Sequence, residues 1–328
     1  MKPSFHARLL NGPFDDPGLY VRLLREGRAI LFDSGFTTSL SPRDALKISD
    51  IFISHTHVDH FIGLDSILRL YLMKEGPLRL YGPQGFLNCI EGKLRGYTWN
   101  IIGDYPLIIE VVEVNEGALT KGIFKARNSF KCEDTVSLPF DGLLLRDESF
   151  KVRVAILDHQ IPCLAFSLEE DYHININKVK LNELNLPVGP WIGKLKKAIR
   201  AKDSGLTSSE IHPEFEIMGR RLKELMEIVT ITKGQKVSYV VDAIGSEENK
   251  RRIIEIVRGS DILFIEAYFL DRDRDRAKKR YHLTAKEAGR LAKEAEVVKM
   301  VPFHFSPKYI DNPEEIVKEA EEEFRGVF

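Results

Sequence analysis

Short apolar runs rich in β-branched residues recur along the chain with helical segments between them, and this alternation leaves few folds open to it. A first series comprises Ala29 to Phe32, Ile51 to Ile53, Leu78 to Tyr81, Leu107 to Val112 and Val152 to Leu157. A second comprises Val237 to Val241, Ile262 to Ile265 and Val297 to Val301. Their lengths and composition are those of buried strands. Helix starts between them are legible. Ser41 offers an N-cap with Pro42 at the first helical position and Asp44 at the third. Thr284 with Glu287 spells a capping box, and Asn312 with Glu315 repeats the logic. Two series of strands with interspersed helices predict an α/β layered fold.

Five of these runs lead into a residue that binds metals or moves protons. His55 follows the Ile51 run, His159 the Val152 run and His304 the Val297 run, while Asp242 and Glu266 close the Val237 and Ile262 runs. The C-terminal edge of a layered α/β sheet is where ligand sites assemble. The stretch "FISHTHVDHFIG" adds His57, Asp59 and His60 beside His55. His55 and His57 alternate on an extended segment and can point to one side. Asp59 and His60 follow in the turn into a helix and can face a second point nearby. Imidazole nitrogens with carboxylate oxygens suit zinc, and manganese or iron(II) as well. One zinc takes four ligands. The seven candidates His55, His57, Asp59, His60, His159, Asp242 and His304 therefore predict two metals with one carboxylate bridging them. His6, His173 and His212 stand outside any such context and read as ordinary core or surface residues.

Lys and Arg (48) nearly balance Asp and Glu (49), so any polyanion site is a local patch. The opening "MKPSFHARLL" lacks the apolar segment of a secretory signal, and no run reaches the length of a membrane span. Cys89, Cys132 and Cys163 are scattered and free of C-x-x-C spacing, as expected of reduced thiols in a cytoplasmic protein. Asp171 to Lys233 differs from the rest: it is polar, contains "LPVGP" and "AKDSGLTSSE", and predicts a helix near Met218 to Ile228. It reads as a spacer or as an insertion that projects from the core of a single domain spanning 1–328.

These residues carry a resemblance. "HTHVDH" is similar to the signature of the metallo-β-lactamase fold hydrolases, and Asp33 in "ILFDSG" matches the aspartate that precedes it there. The segments "LDHQIPCLAFSLEE", "VSYVVDA" and "IEAYF…YHLTAKEAGRLAKEA…VPFHFSPKY" resemble, in order and spacing, those of ribonuclease Z. "KLNELNLPVGPWIGKLKKA" looks like the Gly-Pro region of that family's tRNA-binding arm. The resemblance runs from about residue 29 to 310. The chain departs from the family at Val58 (usually Gly), Ala243 (Thr), Ile265 (His) and Leu283 (Ser), and in its opening loop.

The resemblance implies a four-layer αββα sandwich with an inserted projecting arm at about 171–233. It implies an endoribonuclease that removes the 3′ trailer from precursor tRNA, acting as a homodimer with two zinc ions per chain. His55, His57 and His159 would hold one ion, Asp59, His60 and His304 the other, with Asp242 bridging. Asp59 would accept the proton of the attacking water. His282, oriented by Glu266, would protonate the departing 3′-oxygen. Pro187, Gly189, Pro190, Lys194, Lys196 and Lys197, with Arg200 and Lys202 beside them, would grip RNA. In "DRDRDRAKKR" only Lys278, Lys279 and Arg280 suggest a further phosphate contact. The rival expectation keeps the fold and metals but gives it a small diester, ester or lactone as substrate, with the middle segment as a lid. A non-enzymatic RNA binder is the third.

Overall fold

The computed structural model describes residues 4–24, 26–203 and 216–326, without the side chains of Asp134 and of 201–203. Lys202, His212 and the stretch 204–215 of the expected arm thus lie outside the described side chains or residues. One sheet has eight strands in chain order: Phe5–Leu9, Leu19–Leu23, Arg28–Phe32, Ile48–Phe52, Pro77–Pro83, Ile108–Asn115, Ala118–Lys125 and Cys132–Pro139. Its middle pairs, from Arg28–Phe32 to Ile108–Asn115, are parallel. Parallel neighbours need a crossover, and helices Pro42–Ala45, Leu64–Tyr71 and Phe86–Arg95 lie in those connections. The second sheet runs Met300–Phe303, Ile262–Glu266, Lys236–Val240, Pro162–Glu170, Phe150–Asp158, Leu143–Arg146. Its first three strands are also parallel.

The sheets meet face to face through aromatic rings. Phe32 lies 5.4 Å from Phe166 and 5.9 Å from Tyr239, and Phe52 lies 5.6 Å from Phe166, ring centre to ring centre. Helices cover the outer faces. Leu64–Tyr71 buries Leu64, Ile67, Leu68 and Tyr71, the 3-4 spacing of one helical stripe, against Ile51, Leu78, Leu80 and Ile109. Full burial of each such side chain is worth about 1.5–3 kcal/mol. Glu247–Val257, Ala285–Glu294 and Pro313–Arg325 do the same for the second sheet through Ile253, Leu291, Ala292, Ile316 and Ala320. The order is helix, sheet, sheet, helix: an αββα sandwich.

Three local expectations are corrected. The last strand starts at Met300, opposite Leu263; Val297 and Val298 instead complete the turn from the preceding helix, Val298 donating to the Ser260 carbonyl at 2.9 Å. Asn312 makes no side-chain cap, and Pro313 alone marks that helix start. The helix expected over 218–228 begins only at Leu222, because Met218 and Gly219 both adopt left-handed backbone (φ 56° and 70°) and turn a hairpin between Glu216–Ile217 and Arg220–Arg221.

Two compact units divide the described chain. The larger takes residues of Met1–Leu144, Arg153–Leu168 and Lys236–Phe328; the smaller takes those of Leu145–Val152 and Glu169–Gln235. The smaller unit has its own antiparallel pair, Tyr172–Ile176 with Val229–Lys233, and its own apolar centre. Helices Lys178–Glu183 and Trp191–Asp203 pack Leu181, Trp191, Leu195 and Ile199 against Ile174, Leu225 and Ile228. His173 is buried there, 3.1 Å from Glu170.

Candidate metal centre

The site lies at the C-terminal edges of strands in the larger unit. Three residues that leave those strands take left-handed backbone: Asp33 (φ 54°), Asp242 (φ 48°) and His304 (φ 56°). Asp and His tolerate this region better than bulkier residues, and such strained positions concentrate at functional sites. The turn carries each side chain off its strand and over the edge. His55 and His57 follow Ile48–Phe52 in extended chain, and Asp59 and His60 open the helix Val58–Phe61.

Three groups of potential ligand atoms result, the atoms of each lying within 4.8 Å of one another: His55, His57, His159 and Asp242; Asp59, His60 and His304; and Asp242, Glu266, His282 and His304. Asp242 stands in the middle. Its Oδ2 is 3.3 Å from His55 Nε2 and 3.4 Å from Nε2 of both His60 and His159, and its Oδ1 is 2.8 Å from His304 Nδ1. Asp59 Oδ2 is 3.3 Å from His60 Nε2 and 3.6 Å from His304 Nε2.

Outer contacts fix the rings. Asp33, fully buried, accepts from the Ser54 amide at 2.6 Å, the Ser54 hydroxyl at 2.8 Å and the Tyr239 hydroxyl at 2.9 Å, and lies 2.8 Å from His60 Nδ1. That contact leaves His60 Nε2 for the site. His159 Nδ1 donates to the Tyr281 carbonyl at 2.7 Å, which likewise frees Nε2. Such partners set tautomer and orientation in metal-binding histidines. The turn is clamped as well: Ser34 donates to the His60 carbonyl and Gly63 to the Ser34 carbonyl, both at 2.8 Å. A Cβ on Gly63 would stand 1.9 Å from the Gly35 carbonyl, so only glycine permits this approach.

Beside the cluster, His282 Nδ1 lies 2.9 Å from Glu266 Oε2. Glu266 Oε1 accepts from the backbone amides of Ala243 (2.9 Å) and Leu283 (3.0 Å). Tyr268 stacks flat on the His282 ring, 3.9 Å away and 8° from parallel. Three of the departures from the family pattern meet here. Ala243, Ile265 and Leu283 are fully buried in one apolar cluster, and Glu266 is held by main chain, which does not depend on their side chains. Val58 is 72% exposed.

Burial pushes the His55 pKa down to about 4, which keeps it a neutral ligand. His57 is lowered too, first by burial and then by His159. Burial also opposes charge on His60 and His304, but carboxylates outweigh it, Asp242 foremost, and hold both well above the usual imidazole range. Conversely, burial would raise Asp242 and Asp59, and the surrounding imidazoles hold both well below the usual carboxylate range. Four buried atoms of this cluster make no aligned hydrogen bond among the described residues: His55 Nε2, His60 Nε2, and Asp242 Oδ1 and His304 Nδ1, which stand 2.8 Å apart. Buried ligand atoms left without hydrogen bonds around one carboxylate fit divalent cations, which would satisfy them together.

All seven ligand candidates and the Glu266–His282 pair thus come together. The expected RNA contacts belong to the smaller unit. Pro187, Gly189 and Pro190 form the turn before the helix Trp191–Asp203, where Trp191 Nε1 donates to the Pro187 carbonyl at 2.7 Å. Lys194 and Lys197 are exposed, Lys197 lying 3.2 Å from Glu148, and Lys196 is half-buried. Ser54, Tyr268 and the Tyr281 carbonyl were not foreseen. Ring stacking and a carbonyl acceptor leave no sequence signal.

The model of the metallo-beta-lactamase superfamily matches residues 15–86. Ribonuclease Z of Nanoarchaeum equitans is 31% identical over 290 residues, 86% of this chain and 76% of that protein. Ribonuclease Z of Deinococcus radiodurans is 27% identical over 312 residues, 92% of this chain and 90% of that one. The crystal structure of human tRNase Z, short form, superposes with a TM-score of 0.53 at 20% identity, covering 93% of each chain, which shows the shared fold.

Proposed function

The chain belongs to the ribonuclease Z family of the metallo-β-lactamase fold, and from that premise we propose that it is a zinc-dependent endoribonuclease that removes the 3′ trailer from precursor tRNA. The observation that carries this is the complete donor set around Asp242, with the Glu266–His282 pair beside it. His55, His57 and His159 would hold one ion and Asp59, His60 and His304 the other, with Asp242 shared. Two transition-metal ions held there would polarise the phosphodiester and supply a nucleophile at neutral pH.

The chain's own residues do the rest. Asp59, with 43% of its side chain exposed, is the carboxylate reachable from outside, and it takes up a proton at the site. His282 presents Nε2, because Glu266 occupies Nδ1, and delivers a proton to the departing 3′-oxygen. Tyr268 holds the plane of that ring.

The smaller unit is, in this reading, the tRNA-gripping arm, with Pro187, Gly189, Pro190, Lys194, Lys196 and Lys197 facing RNA. Its support is a separate apolar centre beneath exposed lysines and prolines. Free Cys89, Cys132 and Cys163 support a cytoplasmic protein, and a homodimer follows the family pattern.

The test is direct. Purified protein should carry about two transition-metal ions per chain, and chelation should abolish cleavage of precursor tRNA, with activity returning on zinc. Hydrolysis of a small chromogenic diester with precursor tRNA left intact would favour the rival, a small-substrate hydrolase.

A further inference from the structure

In the run "DRDRDRAKKR", four of the nine charges are spent on neighbours. Asp271 pairs with Arg274 at 2.7 Å, Arg272 with Glu315 at 2.8 Å, and Asp273 with Lys308 at 2.6 Å. The last cations differ. Among the described residues no carboxylate lies within ion-pair distance of Arg276, Lys278, Lys279 or Arg280. Three of them share one face of the helix Arg274–Arg280: Arg276, Lys279 and Arg280 stand at i, i+3 and i+4. Lys278 points elsewhere, into a pocket with Glu247, Glu287 and Glu294.

The shared face lines an open cleft of about 700 Å³ whose lining also includes His57 and His159. Tyr281 ties helix to site. Its left-handed backbone ends the helix, its carbonyl holds His159, and the next residue is His282. Phe269 underlies the Arg276 guanidinium at 5.7 Å, which steadies that cation at the rim.

We propose that Arg276, Lys279 and Arg280 form a phosphate-binding row that holds the RNA backbone beside the scissile phosphodiester. This rests on the reading of the protein as an RNA phosphodiesterase. The row spans about 6 Å along the helix axis, which suits about two consecutive phosphates of a single strand. Such contacts carry no base information and set where the strand lies. A row of this kind positions a single strand without asking for a sequence.

The experiment compares whole metal-loaded protein with the variant R276Q/K279Q/R280Q and with Lys278→Gln, which lies on the same helix outside the row. Binding of a fluorescent single-stranded oligoribonucleotide is read by stopped-flow anisotropy, before turnover, across a salt series. The triple variant should bind at least ten-fold more weakly at low salt. Its slope of log affinity against log salt should be shallower by about 1.4, or about 0.7 for each phosphate released. Its kcat/KM for precursor tRNA should fall at least ten-fold relative to that for a small diester, whereas Lys278→Gln should track the wild type. A triple variant with the wild-type salt slope overturns the row. Wild-type protein that hydrolyses the diester and never cuts precursor tRNA overturns the tRNA reading instead. The oligoribonucleotide slope still decides the row in that case.

Discussion

Glu266 holds His282 with one oxygen and two backbone amides with the other, at 2.9, 2.9 and 3.0 Å. A fully buried carboxylate is expensive without partners, and here they come from the main chain and from His282, with His304 Nδ1 a further neighbour at 3.8 Å. His282→Ala should therefore slow RNA cleavage by roughly 10²–10⁴-fold, the range of general acid–base catalysis, while metal content stays unchanged. A diester with a very good leaving group should lose far less, since its departing oxygen needs little protonation. Equal losses on both substrates would make the histidine structural. Tyr268 should show the same leaving-group pattern more weakly when changed to Ala, and Tyr268→Phe should restore it, because the stacked ring acts and not the hydroxyl. At this scale the sequence was legible wherever a residue's chemistry is set by its place at a strand end, as for Asp242 and Glu266. It was illegible for Tyr268, whose role arises from ring-on-ring contact across the fold.

Among the elements, the helix Val58–Phe61 and the loop after Arg28–Phe32 are joined backbone to backbone, and Gly63 makes the approach possible. Gly63→Ala would drive a methyl into the Gly35 carbonyl, so the loop or the ligand turn must move. Overpacking of this kind typically costs about 1–3 kcal/mol. Because Asp59 and His60 ride on that turn, metal content should fall together with the melting temperature. A variant that melts lower and keeps both ions would show the turn to be independent of the loop. The strands and capped helices could be read because period and caps are local signals. Met218–Gly219 defeated the helix expectation because its two left-handed residues turn a hairpin that helix-like composition hides.

For the molecule as a whole, the inserted segment is a body with its own core, so trimming only 177–202 would remove Leu181, Leu186, Trp191, Leu195 and Ile199 from that core and unfold the rest. A cleaner excision exists. Tyr172 pairs directly with Lys233, so residues 173–232 can be replaced by Asn-Gly, a two-residue hairpin turn. The excised protein should still hydrolyse a small diester and should lose precursor tRNA cleavage mainly through binding, since remote contacts supply affinity. Altered small-substrate kinetics with no tRNA activity in the parent would mark the segment as a lid. The donor set of the larger unit has one more consequence. Asp59, His60, His55 and His57 hang from the eight-stranded sheet, while His159, Asp242 and His304 hang from the six-stranded one. Neither sheet owns a complete set, so the ions would act as rivets through a seam. Loss of metal during denaturation should then report the moment the halves part, and an ion-release assay becomes a gauge of seam opening that no single tryptophan could provide.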